Sequence, residues 1–531
     1  MTPWHILVAD DLAPEGLDLL RAAASVTVRK GMSGEELLAE LPGKHALIVR
    51  SATRVTAASL EVADRLLVVG RAGIGLDNVD IDAATRRGIV VMNTPESGAV
   101  TTAEHAVAML LSLARKIPLA DRLLHEGRWE KSKLTGVEIT GKTLGLLGLG
   151  RIGRVVADRA LGLRMRVLAF DPHVPKDRVP EGVTLVPFER CLSEADFLSV
   201  HVPLLESTRH LLDAAAFAQV KPGCRLVHCA RGGIVDEAAL LGALEQGRVA
   251  GAALDVFEHE PMGASNPLLR HPGVVVTPHL GASTEEARRA VARDMARQVL
   301  LCLESGTVVN GINVPRIAPS EADFLTPFLN LGQRLASFLV QAFPGKLERL
   351  SIEMQGELAR RNEAAIRVAA LVGALRASGE TATPVNAGVV AERNDVHVDS
   401  THRMIKPEYV DYLRVTAVLD GQPRVAAGTL LGRRRLRMVE LEHTSLDALP
   451  SGAMLLTIHE DQPGVIGRVG TLLGNAGINI SRLQLGVKAD GTGDALGLLN
   501  LDRGLDDGLL GETRALPFVR RALRISLPAS D

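Results

Sequence analysis

Cysteine is scarce in this chain: four residues of 531, Cys191, Cys224, Cys229 and Cys302, with no CxxC pair and no histidine cluster beside them. That pattern argues against a disulfide framework and against a zinc site, so no metal is expected, and it fits a reducing, cytoplasmic setting. An excess of either charge is missing as well. A formal net charge of −2 gives no general electrostatic case for nucleic acid or for an anionic membrane surface as a partner. No apolar run is long enough to span a bilayer. Met1-Thr2-Pro3-Trp4-His5 leads straight into a short strand-like run, without the basic, long apolar, small-residue order of an export signal. What remains is a globular composition: 46% hydrophobic residues can fill several cores, and the length suggests three or four domains.

The most informative stretch is Thr143 to Pro172, TLGLLGLGRIGRVVADRALGLRMRVLAFDP. The apolar run Leu144 to Leu147 suits a buried strand, and Val155, Val156, Ala160 and Leu163 recur at helical spacing after it. Between them lies Gly148-Leu149-Gly150-Arg151-Ile152-Gly153. In that order Gly148 allows the turn, Gly150 lets backbone approach a pyrophosphate and Gly153 lets helix and strand pack closely, while the helix N-terminus offers free amides to the phosphates. A GxGxxG on its own is a weak signal; strand before and helix after make it specific. A second strand, Arg166 to Phe170, ends in Asp171, 18 residues past Gly153, where a carboxylate meets ribose hydroxyls and repels a 2′-phosphate. The expected cofactor is NAD rather than NADP.

Upstream, short apolar runs alternate with helical patterns: Ile6 to Ala9, Leu17 to Ala24, Val26 to Val28, Glu35 to Leu41, Ala46 to Val49 and Leu66 to Val69. Such alternation implies a parallel sheet covered on both faces. Arg50-Ser51-Ala52-Thr53-Arg54 follows the third strand, and Arg71-Ala72-Gly73-Ile74-Gly75-Leu76-Asp77-Asn78 follows the fourth. Loops at the carboxyl ends of parallel strands line a ligand mouth, so Arg50, Ser51, Arg54, Arg71, Gly73, Ile74 and Gly75 are candidates to hold an anionic substrate. Thr101 to Lys116 reads as a long helix leading to the second sheet. Thr284 to Glu304 is a helix without a strand of its own, so it should return to the first sheet and leave a cleft between two lobes. Beyond Asn313, helical stripes at Phe328, Leu331, Leu335 and Phe338 and at Asn362 to Ala377 mix with strands at Leu350 to Met354 and Leu413 to Leu419. Asp420-Gly421 should turn a hairpin into Arg424 to Leu430. The run Arg433-Arg434-Arg435 with Arg437 suits a solvated guard on a strand edge better than an effector or nucleic-acid site. Met454 to Leu527 reads strand, helix, strand, strand, weak helix, strand; Gly508 and Gly511 weaken the second helix.

Three further loops follow apolar strands of the cofactor sheet: Ala230-Arg231-Gly232-Gly233-Ile234-Val235-Asp236, then Asp255-Val256-Phe257 with Glu260-Pro261, then Pro278-His279-Leu280-Gly281-Ala282-Ser283. Hydride chemistry on a 2-hydroxy acid needs a cation for the carboxylate, a base for the hydroxyl proton and a group that tunes the base. Arginine, histidine and glutamate meet those needs.

With these motifs together, the chain resembles the D-isomer-specific 2-hydroxyacid dehydrogenases over residues 1 to about 312: GLGRIG with Asp171, HVPL at His201 to Leu204, ARGGIVDE at Ala230 to Glu237, DVFEHEP at Asp255 to Pro261 and PHLGAST at Pro278 to Thr284. The tails, with INVPRI, VNAGVVAER and DQPGVIGRVGTLLGNAGINI, are similar to the intervening and ACT domains of the family's long form. The resemblance implies an α/β architecture: two Rossmann-like doubly wound parallel-sheet lobes, one for substrate and one for NAD, then an α+β intervening domain and a ferredoxin-like ACT domain. The expected limits are 1–97 and 283–312 for the substrate lobe, 98–282 for the NAD lobe, 313–452 for the intervening domain and 453–531 for the ACT domain. The roles implied are Arg231 on the carboxylate, His279 as acid/base and Glu260 as its tuner. Cofactor contacts are implied at Gly148, Gly150, Arg151, Ile152, Gly153, Asp171, His201, Pro203, Cys229, Ala230, Asp255, Gly281 and Ala282, with Asp255 on the nicotinamide amide. One departure is that Pro95 to Val100 lacks the asparagine often found near position 98. The activity implied is NAD-dependent oxidation of 3-phospho-D-glycerate to 3-phosphooxypyruvate, the first step of phosphorylated L-serine biosynthesis. L-serine would be the effector, held at His459, Asp461 and Asn479, and the assembly a homodimer or homotetramer. Another 2-hydroxyacid dehydrogenase, such as a glyoxylate or hydroxypyruvate reductase, is disfavoured by the basic loops and the ACT tail. An NAD-sensing regulatory protein is disfavoured by the intact Arg231, Glu260 and His279.

Overall fold

The computed structural model describes residues 4–317, 319–402, 409–432, 434–487 and 493–529. Buried apolar runs alternate with helices from the start: β1 (Trp4–Val8), α1 (Pro14–Ala23), β2 (Ala24–Val28), α2 (Gly34–Glu40), β3 (Ala46–Val49), α3 (Ala57–Glu61), β4 (Val68–Arg71), α4 (Ile81–Arg86) and β5 (Val90–Asn93). The strands are parallel in the order β2-β1-β3-β4-β5. Strand order reverses between β1 and β3, the place where such sheets open a crevice at their carboxyl ends.

Next come α5 (Ala99–Arg115), α6 (Ile117–His125), β6 (Thr143–Leu147), α7 (Arg151–Gly162), β7 (Arg166–Phe170), β8 (Val183–Leu185), α8 (Phe188–Glu194), β9 (Phe197–Val200), α9 (Ala214–Gln219), β10 (Cys224–His228), α10 (Glu237–Glu245), β11 (Val249–Leu254) and β12 (Val274–Val276). These seven strands are again parallel, ordered β12-β11-β10-β9-β6-β7-β8, so the second reversal lies between β6 and β9. α11 (Glu285–Ser305) then crosses back to the first sheet, where Val291, Met295 and Val299 are buried with Ile6, Val8, Ile48 and Met92. Its close approach depends on a missing side chain. A Cβ on Gly16 of α1 would lie 2.6 Å from the Ala292 carbonyl oxygen.

The chain leaves this lobe along β5. Gly311 bridges Met92, Ile312 donates its amide to the Val91 carbonyl at 2.8 Å, and the Asn313 amide side chain accepts from Val91 N at 2.9 Å and donates to Ile89 O at 2.9 Å. A side chain thus completes an edge that would otherwise present unpaired backbone.

α12 (Pro319–Ala342), β13 (Leu347–Gly356), α13 (Glu363–Ala377), α14 (Ala387–Arg393), β14 (His397–His402), β15 (Asp411–Leu419), β16 (Gln422–Leu431), β17 (Arg435–Leu441) and β18 (Thr444–Ala448) build a six-stranded sheet, β14-β13-β15-β16-β17-β18. The final unit is β19 (Ala453–Glu460), α15 (Val465–Asn475), β20 (Ile480–Val487), β21 (Asp494–Leu501), α16 (Asp507–Ala515) and β22 (Val519–Ser526), an antiparallel sheet ordered β20-β21-β19-β22. One apolar cluster runs through both sheets. Phe328, Leu331, Leu335 and Phe338 of α12 are buried with Ile352 and Val415 on one side and Leu456, Leu498 and Ile525 on the other. Arg334 of α12 donates to the carbonyls of Pro450 at 2.9 Å and Pro528 at 2.6 Å, fastening the linker and the C-terminal run to the same helix.

Asp420-Gly421 forms the expected two-residue hairpin, with Leu419 opposite Gln422 and φ of 48° and 72° at the loop residues. The arginine run does not guard an edge. β17, which carries Arg435 and Arg437, is paired on both sides, and Arg437 Nε meets Asp447 Oδ1 at 3.0 Å. Arg433 lies outside the described residues. α16 forms despite Gly508 and Gly511 because Asp506 accepts from Leu509 N at 2.8 Å as N-cap and Leu510 is buried. Among the described residues, no helix is long and apolar enough to cross a membrane.

Candidate active site

Between β6 and α7 the chain turns at Gly148, whose φ of 101° suits only glycine and whose Cβ would lie 2.8 Å from the His201 carbonyl. A Cβ at Gly153 would collide with the Gly148 carbonyl, whereas nothing lies within 4 Å of the Cβ position at Gly150. Close packing is thus secured at Gly148 and Gly153, and open backbone is left at Gly150. No side chain caps α7, so the amides of Arg151, Ile152 and Gly153 and the positive end of the helix dipole remain for an anion. At the end of β7, Asp171 accepts from Leu149 N at 2.8 Å and from His173 N at 2.9 Å, which pins its carboxylate beside the turn. His201 and Pro203 follow β9, Cys229 and Ala230 follow β10, and Gly281 and Ala282 follow β12, all at the carboxyl end of the sheet. Burial pushes the His201 imidazole down to about 3, so it stays neutral, and the ring bonds Ser199 Oγ at 2.8 Å. The donor set and the open glycine backbone fit NAD.

Arg231, Glu260 and His279 come from the loops after β10, β11 and β12, three adjacent strands. His279 Nδ1 lies 2.6 Å from Glu260 Oε2, which leaves Nε2 of the half-exposed ring for chemistry. Burial works to raise the Glu260 carboxyl, but the His279 bond and the Phe257 amide at 3.0 Å outweigh it and hold the group below the usual carboxylate range. Glu260 is therefore an anion at neutral pH, ready to stabilise a protonated His279.

The backbone at His279 is left-handed, with φ 54°, an arrangement that costs a β-carbon-bearing residue about 1–2 kcal/mol. Asp255 holds it there. Its carbonyl accepts from His279 N at 2.9 Å, and its carboxylate accepts from Leu280 N at 2.7 Å and Gly281 N at 2.8 Å. Thr277 Oγ1 donates to the same carboxylate at 2.6 Å, and His105 Nε2 lies 3.2 Å from both Asp255 Oδ1 and Thr277 Oγ1. Asp255 is fully buried, and its carboxylate is engaged by the loop that carries His279. His105, Cys229 and Asp255 also bring potential metal ligands within 4.8 Å of one another. With the carboxylate engaged by these amide and hydroxyl donors, the group is a loop anchor.

On the first lobe, Asp10 accepts from the amides of Arg50 and Thr53, and Asn78 Nδ2 donates to the carbonyls of Arg50 and Thr53, each at 2.6 Å, so the first basic loop is fixed by its backbone. Ser51 and Arg54 are exposed on it. Arg71 is driven down to about 10 by burial first and then by the neighbouring Arg231, with Arg50 adding to the same repulsion. A Cβ on Gly73 would strike Arg71 and one on Gly75 would strike Arg231, so both guanidinium groups lie against the glycine loop. Arg71 therefore stands with Arg231 rather than apart from it. The Ile74 carbonyl accepts from Asn93 Nδ2 at 2.7 Å, and the Ile74 side chain lies 3.5 Å from the Cβ position of Gly98. Arg231 Nε meets Asp77 Oδ2 at 3.2 Å, joining the lobes.

In the last sheet, His459 is buried and its Nδ1 bonds the Glu460 carbonyl at 2.9 Å. Asp461 follows β19 and Asn479 precedes β20, but they do not face each other. The ladder sets Ile480 opposite Leu501 and Leu501 opposite Ala453, while Glu460 pairs Asp494 at the far end. α15 carries the chain back along the sheet, so an eight-residue strand of about 25 Å separates the two residues.

The model of the D-isomer specific 2-hydroxyacid dehydrogenase NAD-binding domain matches residues 107–281, that of the D-3-phosphoglycerate dehydrogenase intervening domain 324–442, and that of the ACT domain 453–518. D-3-phosphoglycerate dehydrogenase of Synechocystis is 39% identical over 99% of this chain and 95% of its own. That of Archaeoglobus fulgidus is 41% identical over 92% and 93%, and that of Bacillus subtilis 38% over 99% and 100%. Among solved structures, a Thermus thermophilus protein with 35% identity and a TM-score of 0.55 covers 58% of this chain and 99% of its own. An NAD complex of Staphylococcus aureus formate dehydrogenase, with 27% identity and a TM-score of 0.53, covers 58% of this chain and 98% of its own. With a nucleotide cradle, an Arg-Glu-His set and both tails matched, the chain belongs to the D-3-phosphoglycerate dehydrogenase family.

Proposed function

We propose that this chain oxidises 3-phospho-D-glycerate to 3-phosphooxypyruvate. The observation that carries the reading is that Arg231, from the lobe that holds the 2.6 Å His279–Glu260 pair, stands beside Arg71 and Arg50 of the other lobe. Arg231 grips the substrate carboxylate, for which a planar guanidinium is suited. Arg50 and Arg54 take the phosphoryl group, while Arg71 and the amides of the Gly73–Gly75 loop, which lie against Arg231, add positive charge to both anionic ends of the substrate. His279 Nε2 removes the C2 hydroxyl proton while Glu260 stabilises the imidazolium that results. As that O–H bond breaks, the C2–H electron pair leaves as hydride and C2–O becomes a carbonyl. NAD, when bound, would supply the hydride acceptor, and Gly148 to Gly153, Asp171 and the loops after β9, β10 and β12 would hold it.

The test is NADH formation with 3-phospho-D-glycerate beside unphosphorylated 2-hydroxy acids. Selective turnover of the phosphorylated acid supports the reading; equal or better turnover of glycerate or lactate overturns it.

The final sheet adds feedback by L-serine in a homodimer or homotetramer. Asp461 offers a carboxylate for an amino group, and Asn479 offers an amide that both donates and accepts. Because these two residues sit at opposite ends of one sheet, a ligand touching both would take Asp461 from one copy and Asn479 from another. A reducing, cytoplasmic location fits four free cysteines, of which Cys191, Cys224 and Cys229 are buried.

A further inference from the structure

We infer that His105, on the helix α5, is a positioning residue for the reaction: through Asp255 it aims His279. The inference rests on the proposed role of His279 and adds a residue to it. The chain of contacts is short. His105 Nε2 lies 3.2 Å from Asp255 Oδ1 and 3.2 Å from Thr277 Oγ1, and Thr277 donates to that same carboxylate oxygen at 2.6 Å. The two Asp255 oxygens then take the amides of Leu280 and Gly281, immediately after the catalytic histidine, while the Asp255 carbonyl takes the amide of His279 itself.

The physical need for such an anchor is visible at two points. The His279 backbone is left-handed at φ 54°, so the loop relaxes unless bonds on both sides hold it. Asp255 is fully buried, and a buried carboxylate stays charged only where donors surround it; burial raises its pKa, and His105, Thr277 and the Leu280 amide reverse that and bring it below the usual range. His105 is the one of these donors that comes from outside the β11 and β12 loops. Without it, the carboxylate keeps its charge less readily and has freedom to turn from the 280–281 amides, and the His279 ring loses its line to the substrate.

The test uses the full-length protein. His105→Leu keeps bulk and removes the donor; His105→Gln restores an N–H near the Nε2 position. For His105→Leu we expect kcat with 3-phospho-D-glycerate to fall about 10- to 100-fold, the loss typical of a mispositioned acid/base group, with KM for NAD and the affinity for NADH within twofold of wild type. Amide hydrogen exchange at Leu280 and Gly281 in the ligand-free protein should quicken by at least tenfold. His105→Gln should recover most of both. Unchanged exchange and kcat in the leucine variant overturn the inference, as does a loss shared equally by NADH affinity and kcat or one that glutamine does not rescue. A wild type inactive on 3-phospho-D-glycerate would instead sink the functional reading, and the exchange measurement would still decide whether His105 holds the loop.

Discussion

The two parallel-sheet lobes and the two C-terminal sheets are joined in opposite ways. Each parallel lobe keeps its own apolar clusters, and charged pairs such as Asp77 with Arg231 and Glu96 with Arg151 meet between them. The C-terminal sheets instead share one cluster around α12. Exposed ion pairs contribute roughly 0–1 kcal/mol each and exchange partners at little cost, whereas parting a shared apolar core exposes the side chains at its seam, at about 1.5–3 kcal/mol for each large one. The first junction is therefore suited to open and close over a ligand, and the second to move as one body.

Variants can break or sharpen that contrast. The largest expected effect is in the cleft: His279→Asn should lower kcat by about 10²–10⁴-fold while NADH still binds. Glu260→Gln should be milder and should shift the acidic limb of the pH–rate profile, since the carboxylate that faces His279 Nδ1 is gone. The sign of the pH dependence follows from Glu260 itself. Its carboxyl is held below its ordinary value, so the pair is complete above the ordinary carboxylate range and is lost as pH falls through the lowered value. Turnover in the histidine variant close to wild type would remove the mechanism.

Next, Phe338→Ala in α12 should cost about 3–5 kcal/mol, and both C-terminal sheets should unfold in a single transition at the lower temperature. Two separate C-terminal transitions by calorimetry would show that the shared core does not couple them. Arg50→Ala should cost about 1.5–3 kcal/mol in kcat/KM for 3-phospho-D-glycerate, the loss of a charge-assisted contact, and little for an unphosphorylated analogue. Equal losses on both would place the phosphate elsewhere. The smallest effect belongs to Asp77→Asn. Freed of its competitor, Arg231 should bind substrate with a KM lowered less than about fivefold, and the gain should shrink with added salt. A raised KM would mean that Asp77 assists closure instead.

Most strands of the two parallel lobes were legible because parallel, doubly covered strands read as plain apolar runs, and the nucleotide turn because glycine positions are dictated by backbone geometry. What escaped were contacts made only in three dimensions. His105 is 172 residues from Thr277, and nothing in its helical stripe marks it as a donor to a buried carboxylate. The arginine run was misplaced because no local pattern announces that β18 will cover β17. α16 reads as a poor helix on propensity alone, and a single aspartate cap with tertiary packing reverses that. Asp461 and Asn479 are close in sequence, but a strand–helix–strand unit carries its chain to the other end before turning, and sequence proximity hides the distance.

With the proposed serine site, that last geometry would tie control to abundance. If one serine must be gripped by Asp461 of one copy and Asn479 of another, the ligand and the encounter of two chains stabilise each other, and each strengthens the other by the same factor. The serine concentration for half-inhibition would then rise as the protein is diluted below the point where copies separate. A midpoint constant across a hundredfold dilution, through the range where sedimentation shows dissociation, would mean that each copy senses serine alone. Otherwise the cell's stock of enzyme is itself part of the signal, and a scarce enzyme is also a less restrained one.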